Sequence, residues 1–317
     1  MAVLALLWGS GFLWIKLALE GGLSPLHITV IRCALGAGVL LVLARSGGQR
    51  LPRDRRTWGH LVVAAFLCNA LPFFLFGIGE QRVDSGMAGA LNATTPLWSL
   101  AIGVAIGTER GLRPVRLAGL LLGFAGTVVI FAPWQQGGLT GWGVPALLAA
   151  AVSYAVAFAY MARHLIGRQT APLALSAAQL LAATGLSALA LPTGTTTALS
   201  APTFTAVAAV TALGVLGTGI TFHLNSRLIA DVGPTTTAAV GYLLPVVSVA
   251  LGAIVLGERV GLRVVGGIAL VLVGVGLTRR QSPAPAAAPA PAPVPAPAPS
   301  AASAVEAPRR PSGSSIG

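Results

Sequence analysis

Ten nearly continuous apolar runs fill the first 280 residues, at about 2–19, 25–44, 59–79, 86–107, 115–133, 143–163, 172–191, 203–225, 235–256 and 263–278. Each is close to the roughly 20 residues with which an α-helix crosses the hydrocarbon core of a bilayer. A membrane β-barrel would instead show alternating runs of about ten residues with a polar lumen face. Continuous runs of this length select helices. A soluble domain carries about 25% charged residues, whereas this chain carries 9%. Water therefore cannot be the solvent for most of its surface. The expected fold class is an all-α membrane protein with ten transmembrane helices.

The few charges are arranged by side. If ten spans alternate, one face holds five arginines between spans 2 and 3, three between 4 and 5, and two between 6 and 7. Arg227 after span 8, and Arg279 and Arg280 after span 10, lie on that same face. The opposite face holds only Arg82, Arg259 and Arg263. The positive-inside rule then places both termini in the cytoplasm of a bacterial inner membrane. It also accounts for the net charge of +12 without nucleic acid as a partner. The first run lacks a basic n-region and an A-x-A cleavage pattern, so it is read as a retained helix rather than a signal peptide.

Residues 281–317 are rich in Pro and Ala and nearly devoid of large apolar side chains. Such a segment cannot bury enough surface to offset ordering entropy, and a disordered cytoplasmic tail is expected. Cys33 and Cys68 sit inside apolar runs, and the four histidines are scattered. No metal site and no cofactor follow from that spacing.

The two halves match weakly but in order. Lys16, Pro25 and Arg32 recur as Arg163, Pro172 and Gln179 at offset 147, as do Asp84 and Gly86 as Asp231 and Gly233. Pro96 and Glu109 recur as Pro245 and Glu258 at offset 149; Gly119 and Gly126 recur as Gly267 and Gly274 at offset 148. Five helices per copy is an odd number, so the second copy enters the membrane upside down. Inverted repeats of this kind belong to secondary transporters, with a midplane site between halves that rock. Repeats are expected at 1–133 and 143–280.

Leu7-Trp8-Gly9-Ser10-Gly11-Phe12 leading to Lys16, the Pro25…Arg32 pattern, and the endings Gly107-Thr108-Glu109-Arg110 and Leu256-Gly257-Glu258-Arg259 resemble the EamA family of the drug/metabolite transporter superfamily. The resemblance covers roughly residues 1–280. It implies ten helices in two inverted five-helix repeats, a central cavity lined mainly by the first four helices of each repeat, and peripheral fifth and tenth helices. The Gly119-x3-Gly123 pattern suits a close-packing face on the fifth. The superfamily's multidrug branch uses a glutamate in its first helix, and residues 2–19 contain none.

Candidate cavity residues are the polar and aromatic side chains within the spans. Arg32 is the eighth residue of span 2, roughly 10 Å below its outer end, at a cost of about 2.5–3.5 kcal/mol unless it faces a cavity or a partner. Its alternative partners are Glu20, Glu80 or Asp84. Lys16 is near enough to the outer end of span 1 to snorkel. Trp8, Ser10, Trp14 and Tyr154 could form an aromatic and hydroxyl wall, with packing as the competing role. Asn92, Gln179 and Tyr242 could orient a solute by hydrogen bonds or simply bridge helices. Pro96 and Pro245 break spans 4 and 9 and could serve as bends. Glu109 and Glu258 are read as structural carboxylates at helix ends. All eight acidic residues fall in loops, span ends or the tail, so no buried acidic relay is expected and the outer half of the cavity should be electropositive.

These readings lead to a non-enzymatic secondary transporter of a small neutral, zwitterionic or anionic solute, with export as the expected direction and lipid and solute as partners. The rival readings are a membrane-embedded enzyme acting on lipid or isoprenoid, which would need a DDxxD, HxxE or G-x-S-x-G pattern absent from the sequence, and a scaffold without transport. The sequence assigns no oligomeric state.

Overall fold

The computed structural model describes residues 2–83, 85–107, 114–132, 141–165, 170–193, 201–232, 239–244, 246–247, 250–251 and 261–279. Among them every regular element is helical. Helix α1 runs Ala2–Glu20 with a local interruption at Ser10. Helix α2 spans Pro25–Ser46 and begins where the Ser24 hydroxyl accepts from the His27 amide and Pro25 supplies a fixed φ. Helix α3 spans Arg55–Glu80, capped by the Asp54 carboxylate on the amides of Arg56 and Thr57. The fourth apolar run is broken into α4, Ser85–Asn92, and α5, Thr95–Ala105. Then come α6, Pro114–Phe131, α7, Gly143–His164, and α8, Pro172–Leu189. Helix α9 comprises Phe204–Gly214, Val215–Ile220 and Thr221–Val232. A 3₁₀ turn at Ala239–Leu243 and α10, Leu262–Arg279, complete the described elements.

Six helices among the described residues are long and apolar enough to cross a membrane: Ala2–Glu20, Pro25–Ser46, Arg55–Glu80, Gly143–His164, Pro172–Leu189 and Phe204–Asn225. Shorter apolar helices occupy Thr95–Ala105, Leu117–Ile130 and Leu262–Gly274. Large apolar side chains point outward from many of them, including Val42, Phe66, Leu121, Phe158 and Leu189. Helices that are apolar on every side suit a lipid solvent. The chain is a multi-pass helical membrane protein.

Between helices the packing depends on small residues. Helix α2 lies along α8, with Cys33, Ala37, Leu40 and Ala44 against Leu173, Ala177, Leu180 and Ala183. Its other flank meets α9, where a Cβ on Gly214 would strike Leu35 and one on Gly219 would strike Val39. Helix α3 packs on α7: Gly79 leaves room for Leu147, and the Ser153 hydroxyl donates to the Leu67 carbonyl at 2.7 Å. Helix α1 packs on α9 at Gly21, whose carbonyl accepts from the Thr203 amide at 3.0 Å. Helices α6 and α10 touch backbone to backbone at Gly126 with Gly267, and at Gly274 with Gly119 and Gly123. The glycine face read on the fifth run is therefore a contact with α10.

Two single-turn π-helices widen the ladder at Phe66–Ala70 in α3 and Val215–Ile220 in α9. Each inserts an extra residue into one turn and re-aims the side chains there, a feature frequent at functional sites. Nothing in the apolar pattern announces them. The break in the fourth run falls at Ala93–Thr94, just before Pro96. Pro96 has no amide to give the Asn92 carbonyl four residues back, and the Thr95 hydroxyl donates to it instead at 2.7 Å. Pro245, Asp84, Glu109, Glu258 and the 281–317 segment lie outside the described residues, as does the side chain of Asp231.

Candidate functional site

The two π turns hold the polar groups at the centre of the fold. Arg32 of α2 donates from Nε to the Thr218 hydroxyl in the α9 π turn at 3.2 Å. Gln179 of α8 donates from Nε2 to Asn69 Oδ1 in the α3 π turn at 2.6 Å. Arg32 and Gln179 are 147 residues apart, and Asn69 and Thr218 are 149 apart. The same bond is thus made twice, each time from one half of the chain to the π turn of the other.

Arg32 is buried, and its guanidinium carbon stands 3.6 Å above the Phe73 ring. Cation–π contact and the Thr218 bond give a desolvated cation part of what water would supply. The two terminal nitrogens have no hydrogen-bond partner among the described residues, leaving a planar fork matched to a carboxylate. Thr218 passes its own proton to the Leu213 carbonyl at 2.9 Å, so its oxygen is oriented to accept from Arg32. Tyr154 of α7 is partly buried against the same cluster, with Phe76 and Phe158 rings at 6.1 Å from its own, and its hydroxyl is near enough to interact electrostatically with Arg32.

Gln179 and Asn69 form the neutral counterpart. Asn69 is completely enclosed, and its amide nitrogen has no partner. Of the remaining expected cavity residues, Ser10 holds the Trp14 indole at 3.2 Å and donates to the Leu7 carbonyl at 3.0 Å. Trp8 packs in a separate cluster with Leu4, Ala5 and Val240. Asn92 marks the break between α4 and α5. The side chain of Tyr242 lies outside the described residues. Arg32 and Tyr154 are brought together, Gln179 joins Asn69, and Trp8 is turned elsewhere.

Lys16 is partly buried, and its Nζ donates to the Glu80 carbonyl at the end of α3 at 3.0 Å. Glu80 ends α3, in keeping with acids at span ends, yet it is 0% exposed and neither carboxylate oxygen has a hydrogen-bond partner among the described residues. Neighbouring α1 and α7 extend past it, so the end of its own helix is not the end of its burial. Lys16 and Arg32 are the cations whose charge acts on it. Sequence reasoning also missed Asn69, Phe73 and Thr218; the shared 149-residue offset of Asn69 and Thr218 was the available signal. Among the described residues no three His, Cys, Asp or Glu side chains converge as a metal site.

Comparison with known proteins places this arrangement. The model of the EamA-like transporter family matches residues 1–132 and again 141–280. The uncharacterized inner membrane transporter YedA of Escherichia coli K12 is 27% identical over 80% of this chain and 81% of its own length. The uncharacterized transporter YvbV of Bacillus subtilis 168 is 26% identical over 86% of this chain and 88% of its own. A protein of known crystal structure superposes with a TM-score of 0.68 at 23% identity, over 88% of this chain and 96% of that one, which speaks to the fold alone. The chain is a membrane transporter and belongs to the EamA-like transporter family.

Proposed function

We propose that this chain is a ten-span secondary transporter of the inner membrane, built from inverted repeats at 1–133 and 143–280. It exports an amino-acid-like solute by alternating access, with the solute carboxylate on Arg32. The observation that carries the reading is the state of that arginine. Its Nε is fixed on Thr218 across the two halves, while its terminal nitrogens make no hydrogen bond among the described residues in a side chain that is itself buried. A carboxylate would take both in a bidentate pair. The matched Gln179–Asn69 bond supports two halves that meet along one seam and can shift against each other. Tyr154 supplies an aromatic wall beside the guanidinium, and the break at Ala93–Thr94 ahead of Pro96 supplies a bend. Pro245 is proposed for the same role in the second half. Trp8, Ser10, Trp14, Asn92 and Tyr242 stand as lining residues of other conformations. No catalysis, metal or cofactor is needed for this task.

The test is transport by purified protein in liposomes, with a panel of labelled neutral, zwitterionic and anionic metabolites and a set of lipophilic cations. Arg32→Gln copies the residue at the matching position of the other half. Losing a hydrogen bond to a charged group costs about 1.5–3 kcal/mol, so transport of a carboxylate-bearing solute should fall roughly ten- to a hundredfold in a protein that still folds. Efficient movement of lipophilic cations by the wild type, unchanged in Arg32→Gln, would refute the reading.

A further inference from the structure

Glu80 is the buried charged group that the carboxylate-binding reading leaves unused. Its surroundings are specific. Helix α1 brings Lys16, whose ammonium is spent on the Glu80 backbone carbonyl at 3.0 Å rather than on the carboxylate. Helix α2 brings Arg32, turned toward Thr218 and Phe73. Helix α7 presents Leu147 against Gly79 and brings Gly143 up to the Gly79 carbonyl. Glu20 and Arg82, charges at the end of α1 and just beyond α3, are exposed, and Asp84, four residues beyond Glu80, lies outside the described residues. Two cations therefore act on the carboxylate, yet among the described residues neither oxygen receives a hydrogen bond, and both oxygens are buried.

A carboxylate that has lost its water and gained no donor is in an expensive state. The penalty is lifted by a proton on the carboxylate, or by a rearrangement that brings water or a cation onto it. Both routes are open to it: a proton can neutralise the carboxylate, or one of the cations on α1 and α2 can turn toward it. Choosing between them changes the charge balance at Arg32. With Glu80 ionised, the carboxylate offsets the two cations from within. With Glu80 neutral, Arg32 lacks an internal counter-charge, and a solute carboxylate supplies it.

We propose that Glu80 carries a coupling proton, taken up from one side of the membrane as the solute carboxylate binds and released on the other side as it leaves. An O–H bond forms on the Glu80 carboxylate with a proton from water and breaks when the proton returns to water, so no other reactant is required. Proton and solute cross together, and a solute accumulated in the cytoplasm carries a proton out as it exits. The inference rests on the carboxylate-on-Arg32 reading for its solute, but not for its proton.

Two measurements separate the parts. Liposomes containing wild type and a lumenal pH dye are exposed to a labelled mixture of the twenty proteinogenic amino acids, with an acid exterior. At one proton per solute a gradient of one pH unit supports about tenfold accumulation, accompanied by lumenal acidification. Glu80→Gln, which copies the neutral acid in shape, should reduce accumulation to the level without a gradient while leaving measurable counterflow of the same mixture. Glu80→Asp should recover part of the gradient response. Wild-type transport indifferent to the gradient would overturn the proposal, as would a full gradient response in Glu80→Gln. Loss of counterflow in Glu80→Gln that is restored by adding Lys16→Met would also overturn it, since Glu80 would then be only a counter-ion. If the wild type moves none of the mixture, the solute reading fails by itself, and infrared titration of the reconstituted protein decides the proton. A protonated-carboxyl band that titrates in the wild type and vanishes in Glu80→Gln supports it; no such band overturns it.

Discussion

A methyl group added at Gly274 tests whether α6 and α10 are held at backbone contact. A Cβ there would lie 2.6 Å from the Gly119 carbonyl oxygen and 2.6 Å from the Gly123 nitrogen, against the 3.4 Å at which ordinary contact begins. The obstacles are backbone atoms, so no flexible side chain can yield and the two helices must part. Overpacking of this kind costs about 1–3 kcal/mol. Against it stands the better helix propensity of Ala over Gly, up to about 1 kcal/mol. Gly276, on the same helix with nothing within 4 Å of its would-be Cβ, isolates that second effect. Gly274→Ala should therefore be less stable than Gly276→Ala by about 1–3 kcal/mol in an equilibrium unfolding titration in mixed detergent micelles. Gly126 faces the Gly267 oxygen and Val271 nitrogen at 2.7 Å along the same seam. One separation admits both methyl groups, so Gly126→Ala with Gly274→Ala should cost less than the sum of the two. Equal stability of Gly274→Ala and Gly276→Ala would refute the close-contact argument.

Gln179→Leu removes the one hydrogen bond to the enclosed Asn69 side chain among the described residues and should destabilise by about 1–3 kcal/mol, above the ~0.6 kcal/mol average for interhelical bonds. Adding Asn69→Leu should recover most of it in the same titration; a double variant no better than the single would count against a buried polar pair. Single introduced cysteines at 45–58 and 110–116 should react with impermeant reagents from the cytoplasmic side and those at 134–142 from the outside, over a low background because Cys33 and Cys68 are buried. Cytoplasmic labelling at 134–142 would break the inverted ten-span arrangement. Truncation after Arg280 keeps the two arginines that end the last run and should leave insertion and transport intact. Normal insertion with lost transport would mean that the tail acts in the cycle.

What the sequence revealed and what it hid divide along a physical line. Span length and the start of α2 at Pro25 are local properties, set by hydration of the backbone and by a few neighbouring residues. They were legible, as was the small-residue face at Gly119 and Gly123. A π turn leaves composition untouched, so Phe66–Ala70 and Val215–Ile220 could not be read from the run that contains them. The depth of Glu80 could not be read either: it depends on how far α1 and α7 extend beyond the end of α3, which is a tertiary quantity. The acceptor of Lys16 was hidden for the same reason, since it is a carbonyl 64 residues away.

The doubling of the polar bond sharpens where chemistry should be sought. The two halves repeat the scaffold closely: each sends a side chain from its second helix to a π turn of the other, Arg32 to Thr218 and Gln179 to Asn69. The charges are not repeated. Gln179 is neutral where Arg32 is cationic, and the positions 147 to 149 residues beyond Glu80 are Arg227, Leu228 and Ile229, none of them acidic. A bond needed only to join the halves would serve equally well in its neutral form and would avoid the cost of burying a cation, about 2.5–3.5 kcal/mol on insertion scales. Arg32 has kept that cost, and its surroundings include a second buried charge in Glu80 that also lacks a symmetric copy. Geometry shared by both halves serves packing between helices, while the unshared pair Arg32 and Glu80 is where, on the proposed reading, a charged solute and a proton would be recognised.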